Sequence, residues 1–256
     1  MKIKFIGTGS GKTSINRFHS SILFLSNDYN LLVDCGDGIS KAILSQNIHF
    51  NSINGILISH LHPDHFSGLC AFIIQMKLNV RQSKLDIFIH ESLIEVVKDF
   101  IYHSYIFKEK MDFVINYVPF YNDDLYTITE NFKFLAKQNT HLNSYRVYDV
   151  NNRLSFSCNS FIFDLNGKNV HYTGDIGSLE DILLFKEFEK DILISEISHV
   201  SIPGLIKIAE LLNIKKLILT HISDEDEPTL LDITKTLGPI VNIEIIDAYD
   251  GLSIAL

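Results

Sequence analysis

The sequence predicts an α/β fold in which two sheets lie between helices, formed by residues 1–256 as a single domain. In the first half of the chain, short apolar runs alternate with stretches of helical spacing. The middle, residues 132–175, is richer in short extended segments, which are separated by turn signals at Asn151-Asn152 and Asn166-Gly167. No linker rich in Pro, Gly or Ser divides the halves, so one domain is favoured over two.

Each element is predicted from the spacing of its apolar residues. Segments that alternate, or that are apolar and end in polar residues, are predicted to be strands. They are residues 2–7, 21–25, 30–34, 55–59, 145–150, 154–164, 170–173, 192–195, 216–220, 242–247 and 251–255. Segments with the spacing of an amphipathic helix are predicted to be helices. They are residues 39–46, 64–76, 91–107, 179–188 and 202–213.

Composition excludes several classes of protein. With 46% hydrophobic residues the chain can bury a large core, and a net charge of −9 sets up no long-range attraction for a polyanion. The three cysteines, Cys35, Cys70 and Cys158, lack paired spacing and are expected to be core-filling thiols in a reducing cytoplasm. No apolar stretch is long enough to span a membrane, and no signal peptide is visible. We therefore expect a cytoplasmic protein without a membrane partner.

A glycine-rich stretch near the start resembles a phosphate-binding loop only superficially. Gly7, Gly9 and Gly11 precede Lys12 and Thr13, but the four residues that should separate the second glycine of a P-loop from Gly-Lys-Thr are absent. The glycines are better explained as a tight turn. A nucleotide-binding P-loop is therefore not expected.

The densest chemical signal is a group of three imidazoles and one carboxylate within six positions. His60 and His62 follow a strand and point to one side, because side chains alternate along extended chain. Pro63 ends the strand, and Asp64 and His65 can turn toward a second ion. The alternative is a polar turn that happens to be rich in histidine. Without a metal, however, burying these groups would require many hydrogen-bond partners.

A single metal seldom takes four ligands from so tight a loop and still leaves room for substrate, whereas two ions with a shared water can do so. Two ions need more than four protein ligands, so further ligands must come from elsewhere in the chain. His141, Asp175 and His221 each close an apolar run, where a sheet edge opens toward a cleft. Taken singly, either histidine could be an ordinary polar strand end, and Asp175 could be a turn residue. Their value as ligand candidates lies in their combination with the local cluster.

The His-X-His-X-Asp-His pattern at 60–65, followed by His141, Gly174-Asp175 and His221, resembles the metallo-β-lactamase superfamily over nearly the whole chain. Asp34 matches the early aspartate of that family. Further matches indicate its ribonuclease Z-like branch, which includes small-substrate phosphodiesterases. They are residues 17–21, residues 218–223 and Ala-Tyr-Asp-Gly at 248–251.

The resemblance implies a four-layer αββα sandwich with a two-ion centre at one edge of the sheets. The first ion would be held by His60, His62 and His141, the second by Asp64, His65 and His221, and Asp175 would bridge both. Asp34 would orient a ligand histidine without touching metal. Zinc is expected for so many histidines, with manganese or iron as alternatives.

The resemblance also implies phosphodiester hydrolysis. Two such ions lower the pKa of a bridging water and stabilise charge on the substrate, while Asp64 orients the resulting hydroxide or takes its proton. His199 precedes His221 by 22 positions (221 − 199), the interval at which ribonuclease Z-like enzymes carry a histidine for this reaction. Glu196 resembles the glutamate that supports that histidine. The alternative is that His199 is an ordinary helix-start residue.

The segment between His141 and Asp175 narrows the choice of substrate class. Ribonuclease Z grips transfer RNA with a flexible arm, but here only 34 positions (175 − 141) separate His141 from Asp175, and they contain hairpin-like segments. A small nucleotide, such as a cyclic nucleotide, is therefore preferred over RNA. Two alternatives remain: a ribonuclease Z-like enzyme that processes transfer RNA 3′ ends, and a metal-free binding or regulatory protein. The resemblance further implies a homodimer.

One aromatic zone has no place in these motifs. It comprises Tyr102, Tyr105, Phe107, Phe113 and Phe120. Aromatic rings could stack on a base or cover a dimer interface. Core and helix packing is the plainer expectation.

Overall fold

The computed structural model describes residues 1–237 and 241–256. Within these residues, fourteen strands form two sheets of seven strands each. The chain divides into two compact units, of which the first comprises residues 1–121 and 250–256 and the second residues 122–249. Organisation as a single domain therefore stays a prediction. In the described ranges, no helix combines the length and apolar character that a bilayer crossing requires.

Strands and helices are distributed along the whole of the described chain. The strands are β1 (Lys2–Gly7), β2 (Ser21–Leu25), β3 (Leu31–Val33), β4 (Gly55–Leu57), β5 (Leu85–His90), β6 (Ile115–Phe120), β7 (Leu125–Thr129), β8 (Phe132–Gln138), β9 (Asn159–Leu165), β10 (Lys168–Tyr172), β11 (Ile192–Glu196), β12 (Lys216–Thr220), β13 (Glu244–Asp247) and β14 (Ser253–Ala255). The α-helices are α1 (Ile39–Ser45), α2 (Pro63–Phe66), α3 (Leu69–Leu78), α4 (Ile94–His103), α5 (Ile202–Leu211) and α6 (Glu227–Leu237). Short 3₁₀ helices occupy Phe50–Ser52, Glu91–Leu93, Lys108–Lys110, His141–Tyr148 and Leu179–Phe185.

The first unit is one sheet with helices packed on it. Its strand order is β14-β1-β2-β3-β4-β5-β6, antiparallel from β14 to β3 and parallel from β3 to β6. Leu32 and Ile56 of the sheet share one buried core with Ile43, Ile73 and Val97 of the helices. Strands β3 and β4 are buried along their length, which explains why they are short uniform apolar runs.

The second unit has a sheet of the same size. Its order is β13-β12-β11-β10-β9-β8-β7, antiparallel from β7 to β10 and parallel from β10 to β13. Leu217 and Leu219 of β12 pack with Leu205 and Ile206 of α5 and with Leu230 of α6. Because the parallel strands run the same way, the segments that follow β10, β11 and β12 leave the sheet at one edge.

The sequence predicted the bounds of β1, β2 and β12, but the predicted strand at 145–150 is wrong. That segment lies in the 3₁₀ helix His141–Tyr148 and the turn after it. Its residues are rich in Val and Tyr, as in a strand, yet Val147, Tyr148 and Val150 are 75%, 80% and 86% exposed. Such residues predict a strand only when one face is buried, and here neither face is.

Other differences have local causes. The predicted helix at 64–76 is two helices, α2 and α3, and Gly68 between them packs so closely on Gly36 that a Cβ there would overlap the carbonyl oxygen of Gly36. The expected strand at 154–164 begins only at Asn159. The sequence did not predict β5, β6, β7 or α6. The three cysteines form no disulfide within the described residues and are buried, as expected for core-filling thiols.

Candidate metal centre

The first ligand cluster follows β4. His62 is extended and Pro63 opens α2, so the chain turns between the two pairs of predicted ligands. The His60 ring centroid lies 4.7 Å from that of His62 and 4.3 Å from that of His65. His60 and His65 are buried, and the side chain of Asp64 is 12% exposed with Oδ2 3.4 Å from His65 Nε2. The four predicted ligands of this segment therefore crowd into one space.

Asp34 holds this cluster from the end of β3. It is fully buried, and its backbone is left-handed with φ of 63°, a conformation that aspartate adopts more readily than most residues. His65 Nδ1 donates to Asp34 Oδ2 at 2.8 Å, and the backbone N–H of Ser59 donates to Oδ1 at 2.8 Å. The Ser59 hydroxyl donates to Oδ2 at 2.9 Å, which leaves its lone pairs free to accept from His60 Nδ1 at 3.0 Å. In both rings Nδ1 is thus occupied, and Nε2 is the atom that can bind a metal.

Close backbone packing fixes Asp64 as well. A Cβ at Gly36 would overlap the carbonyl oxygen of Asp64, so the turn after Asp34 lies directly against the start of α2. On the other side, a Cβ at Gly11 would lie 3.1 Å from Asp64 Oδ2. The glycine-rich stretch of the sequence is therefore the loop that approaches the carboxylate of Asp64.

The closing Ala-Tyr-Asp-Gly segment braces that glycine-rich loop. Asp250 accepts hydrogen bonds from the hydroxyl of Thr8 and the backbone N–H of Phe18, both at 2.7 Å. Arg17 donates in turn to the Thr8 hydroxyl at 2.6 Å. Burial raises the pKa of Asp250, and these hydrogen bonds oppose that shift. The end of the chain therefore holds the loop that lies beside Asp64.

The second cluster is assembled from three strand ends. His141 follows β8, Asp175 follows β10 and His221 follows β12, and all three are buried. Asp175 Oδ2 lies 3.7 Å from His141 Nε2, while Asp175 Oδ1 lies 3.4 Å from His221 Nε2. The two carboxylate oxygens thus face different histidines. Gly174 and His221 are both left-handed, with φ of 58°, so the chain turns sharply at these strand ends.

Ser198 orients His221, a role that the sequence did not suggest. Its hydroxyl donates to the carbonyl oxygen of His221 at 2.7 Å and lies 3.1 Å from His221 Nδ1, from which it can accept. Nε2 of His221 is again the nitrogen that remains for a metal. Ser59 and Ser198 each lie near a histidine that is predicted to be a ligand, but a single sequence carries no signal that separates such serines from ordinary ones.

His199 lies beside the second cluster and is supported by Glu196. Its ring centroid is 4.7 Å from that of His141 and 5.9 Å from that of His221. The carboxylate of Glu196 is buried, with Oε2 accepting from the backbone N–H of His199 at 2.9 Å and Oε1 3.2 Å from Nδ1. The side chain of His199 is 40% exposed, in contrast to the three predicted ligands. The His199 ring is therefore held by Glu196 through Nδ1, while part of the side chain is accessible to solvent.

The donor set fits a metal. The histidines whose Nδ1 atoms are held, His60, His65 and His221, present Nε2, and carboxylates lie next to them in each unit. Imidazole and carboxylate together suit zinc, manganese and iron. The clustered histidine and aspartate side chains could hold a metal ion.

The aromatic zone separates into two groups. Phe113 and Phe120 are buried, which confirms packing as the role of these rings. Tyr102 and Tyr105 are 61% and 80% exposed. Tyr102 and Phe107 line an open cleft of about 720 Å³ in the first unit.

Two sheets of seven strands covered by helices, with histidine and aspartate clusters after the strands, define a protein of the metallo-β-lactamase fold. A family model described as "Anti-Pycsar protein Apyc1" matches residues 1–236, and the chain belongs to this family. It is 28% identical to ribonuclease Z of Saccharolobus solfataricus, over 93% of this chain and 95% of that protein.

Solved structures show the same fold. The metallo-β-lactamase fold protein YhfI from Bacillus subtilis superposes with a TM-score of 0.76 at 21% identity, covering 99% of this chain and 98% of that one. A diphosphatase from the PhnP family superposes with a TM-score of 0.70 at 18% identity, covering 100% and 97%. The predicted αββα class and the resemblance to the ribonuclease Z-like branch are confirmed.

Proposed function

We propose that the protein is a metal-dependent phosphodiesterase whose two ligand clusters together hold two ions, most naturally zinc. His60, His62 and His141 would hold the first ion, and Asp64, His65 and His221 the second. The two oxygens of Asp175 face His141 and His221 separately, as expected of a carboxylate shared by two ions. Bound ions of this kind supply a water of lowered pKa and positive charge against phosphate oxygens.

The observation that carries phosphodiester chemistry is the pairing of His199 with Glu196. A buried carboxylate 3.2 Å from Nδ1 stabilises the protonated ring, in which Nε2 also carries a proton. His199 would donate that proton to the oxygen that leaves phosphorus, and Glu196 would hold the ring in place. Asp64 would orient the attacking water or accept its proton. Gly11 and Gly36 pack closely around Asp64 and so hold its carboxylate in place for this role.

A small nucleotide, such as a 3′,5′-cyclic nucleotide, is our proposed substrate. The segment between His141 and Asp175 contains a short 3₁₀ helix and the hairpin of β9 and β10, and within the described residues it forms no extended arm. The net charge of −9 also disfavours a long polyanion. A fold shared with a diphosphatase of the PhnP family agrees with a compact substrate.

Transfer RNA processing is the second candidate, favoured by the similarity to ribonuclease Z over almost the full length of both chains. Incubating zinc-loaded protein with purine and pyrimidine 3′,5′-cyclic nucleotides, and separately with a transfer RNA precursor, distinguishes the two. We expect 5′- or 3′-mononucleotides from the cyclic substrates. Cleavage of the RNA alone would overturn the small-nucleotide assignment.

Metal analysis tests the centre itself. We expect close to two equivalents of metal per chain after reconstitution, whereas fewer than about one would favour a metal-free binding protein. His199→Ala should retain the metal but lower the rate about 10²- to 10⁴-fold, because only the proton donor is lost. A variant that loses metal together with activity would instead make His199 a ligand.

We also propose a homodimer, on the basis of the family resemblance. Light scattering during size-exclusion chromatography should give twice the 29.2 kDa mass of the chain. A monomer mass across the concentrations used for the activity assay would refute it.

A further inference from the structure

Two buried side chains outside the proposed ligand set join the loops that carry His141 and Asp175. We propose that Asn139 and Asp181 are positioning residues that hold these two ligands at their mutual separation before a metal binds. The inference rests on the proposed metal centre. All of the contacts involved lie within the second unit.

Asn139 spans both loops with one amide. It follows β8 and is buried, with Oδ1 accepting from the backbone N–H of His141 at 3.1 Å. Its Nδ2 donates to the carbonyl oxygen of Asp175 at 2.8 Å and lies 3.1 Å from the Ser160 hydroxyl. Because both ends of the amide are used, Asn139 fixes the main chain of one ligand relative to the other.

Asp181 makes a second connection on the same pair of loops. Its buried carboxylate accepts from the hydroxyl of Thr140 at 2.7 Å, and from the backbone N–H of Thr140 at 3.2 Å. The same carboxylate accepts from the backbone N–H of Gly177 at 2.9 Å. Thr140 directly precedes His141, and Gly177 lies two positions after Asp175.

The two loops touch with no space between them. A Cβ at Gly177 would lie 2.5 Å from Thr140 Oγ1 and 2.7 Å from the Thr140 backbone. The contact therefore depends on glycine, and small changes in either loop would be transmitted to the other. We call the contacts of Asn139 and Asp181 with these two loops the clamp. With the clamp in place, Asp175 Oδ2 lies 3.7 Å from His141 Nε2, a spacing at which one ion could be bound by both side chains.

Asp181 has an ordinary structural role too, since it forms a capping box with Ser178 at the start of the 3₁₀ helix Leu179–Phe185. Ser178 therefore provides a matched control. Ser178→Ala weakens the same helix start but leaves the acceptors for Thr140 and Gly177 intact. An effect due to capping should appear in both Ser178→Ala and Asp181→Asn, whereas an effect due to clamping should appear only in the latter.

The test is Co²⁺ binding, followed by titration and by the visible absorption spectrum of the bound ion, for wild type, Asp181→Asn, Asn139→Leu, Thr140→Val and Ser178→Ala. We expect Asp181→Asn and Asn139→Leu to bind Co²⁺ about 10- to 100-fold more weakly, with a changed spectrum. Thr140→Val removes only the hydroxyl from which Asp181 accepts a hydrogen bond, and its affinity for Co²⁺ should be at least about threefold lower than that of wild type. This variant tests the proposal if the other two do not fold. Ser178→Ala should match wild type.

The outcomes separate the two proposals. Failure of the wild type to bind Co²⁺ would refute the metal centre itself. Normal binding and an unchanged spectrum in Asp181→Asn, Asn139→Leu and Thr140→Val would refute the clamp while leaving the centre intact. Equal weakening by Ser178→Ala and Asp181→Asn would assign the effect to helix capping and would also overturn the inference.

Discussion

The two ligand clusters are built in different ways. In the first unit, four predicted ligands lie within six positions of one strand-to-helix turn, and a single buried carboxylate, Asp34, braces the cluster. In the second unit, His141, Asp175 and His221 come from the ends of three strands, and several separate side chains contact the segments that carry them. A local cluster depends on one turn, whereas a dispersed cluster depends on the register of a sheet and on the loops that leave it.

The largest effect should follow from the carboxylate at the centre of the dispersed cluster. Asp175→Asn removes the charge that both ions would share, so we expect hydrolysis to fall about 10³-fold or more and the metal content to fall with it. Initial rates and elemental analysis provide the measurement. Asp123→Asn, at an exposed aspartate of the same unit, should change neither. Retention of two ions by Asp175→Asn would contradict its bridging role.

The side chains that hold the two clusters in place should differ in how strongly their loss lowers metal affinity. Asp34→Asn disturbs both Ser59 and His65, so we expect metal affinity to fall about 10- to 100-fold. Ser198→Ala removes a contact to His221 alone, and its effect should be below about tenfold. Competition with a chelating dye measures both. If the serine variant proved the more damaging, the first cluster would not depend on a single brace as we infer.

Backbone packing offers a third comparison, between a glycine of the first unit and one of the second. Gly36→Ala should lower the free energy of unfolding by about 1–3 kcal/mol, because the new methyl group meets the carbonyl of Asp64. Gly167→Ala meets no atom within 4 Å and should cost about 1 kcal/mol through its φ of +80° alone. Urea denaturation measures both. Only Gly36→Ala should also reduce metal binding, and equal metal binding in the two variants would exclude a steric link to Asp64.

Buried histidines in the two units differ in their hydrogen bonding, and one of them should make stability depend on pH. His65 forms a hydrogen bond with Asp34, whereas neither ring nitrogen of His171 has a hydrogen-bond partner among the described residues. Burial, together with the positive charge of nearby Lys190, lowers the pKa of His171 to about 3. The folded protein therefore resists protonation that the unfolded chain accepts near its ordinary pKa of 6.5. This contribution to stability is complete above pH 6.5 and is lost as the pH falls toward 3.

His171→Leu removes that titration. Between about pH 7 and pH 5 the variant should lose about 2 kcal/mol less unfolding free energy than wild type, measured by urea denaturation at each pH. Identical pH dependence in the two proteins would mean that His171 is not the group responsible.

The clustering of His60, His62, Asp64 and His65 could be predicted from the sequence, because their spacing places these side chains together whatever the rest of the fold does. The strands β1, β2 and β12 were predictable for the same reason, since each carries its own pattern of apolar residues. The segment 145–150 shows the limit of such patterns. It has the Val and Tyr content of a strand, but whether it pairs with another strand and whether it is buried are properties of the folded chain.

Sequence alone thus determined the residue types of the site, their order and the family to which they belong. Tertiary structure decided how they are held: which nitrogen of His60, His65 and His221 is left for a metal, and how Asp175 divides its oxygens between two histidines. Those contacts join residues far apart in the chain through sheet register and loop packing. No local pattern encodes such distances, because they exist only when the strands are paired.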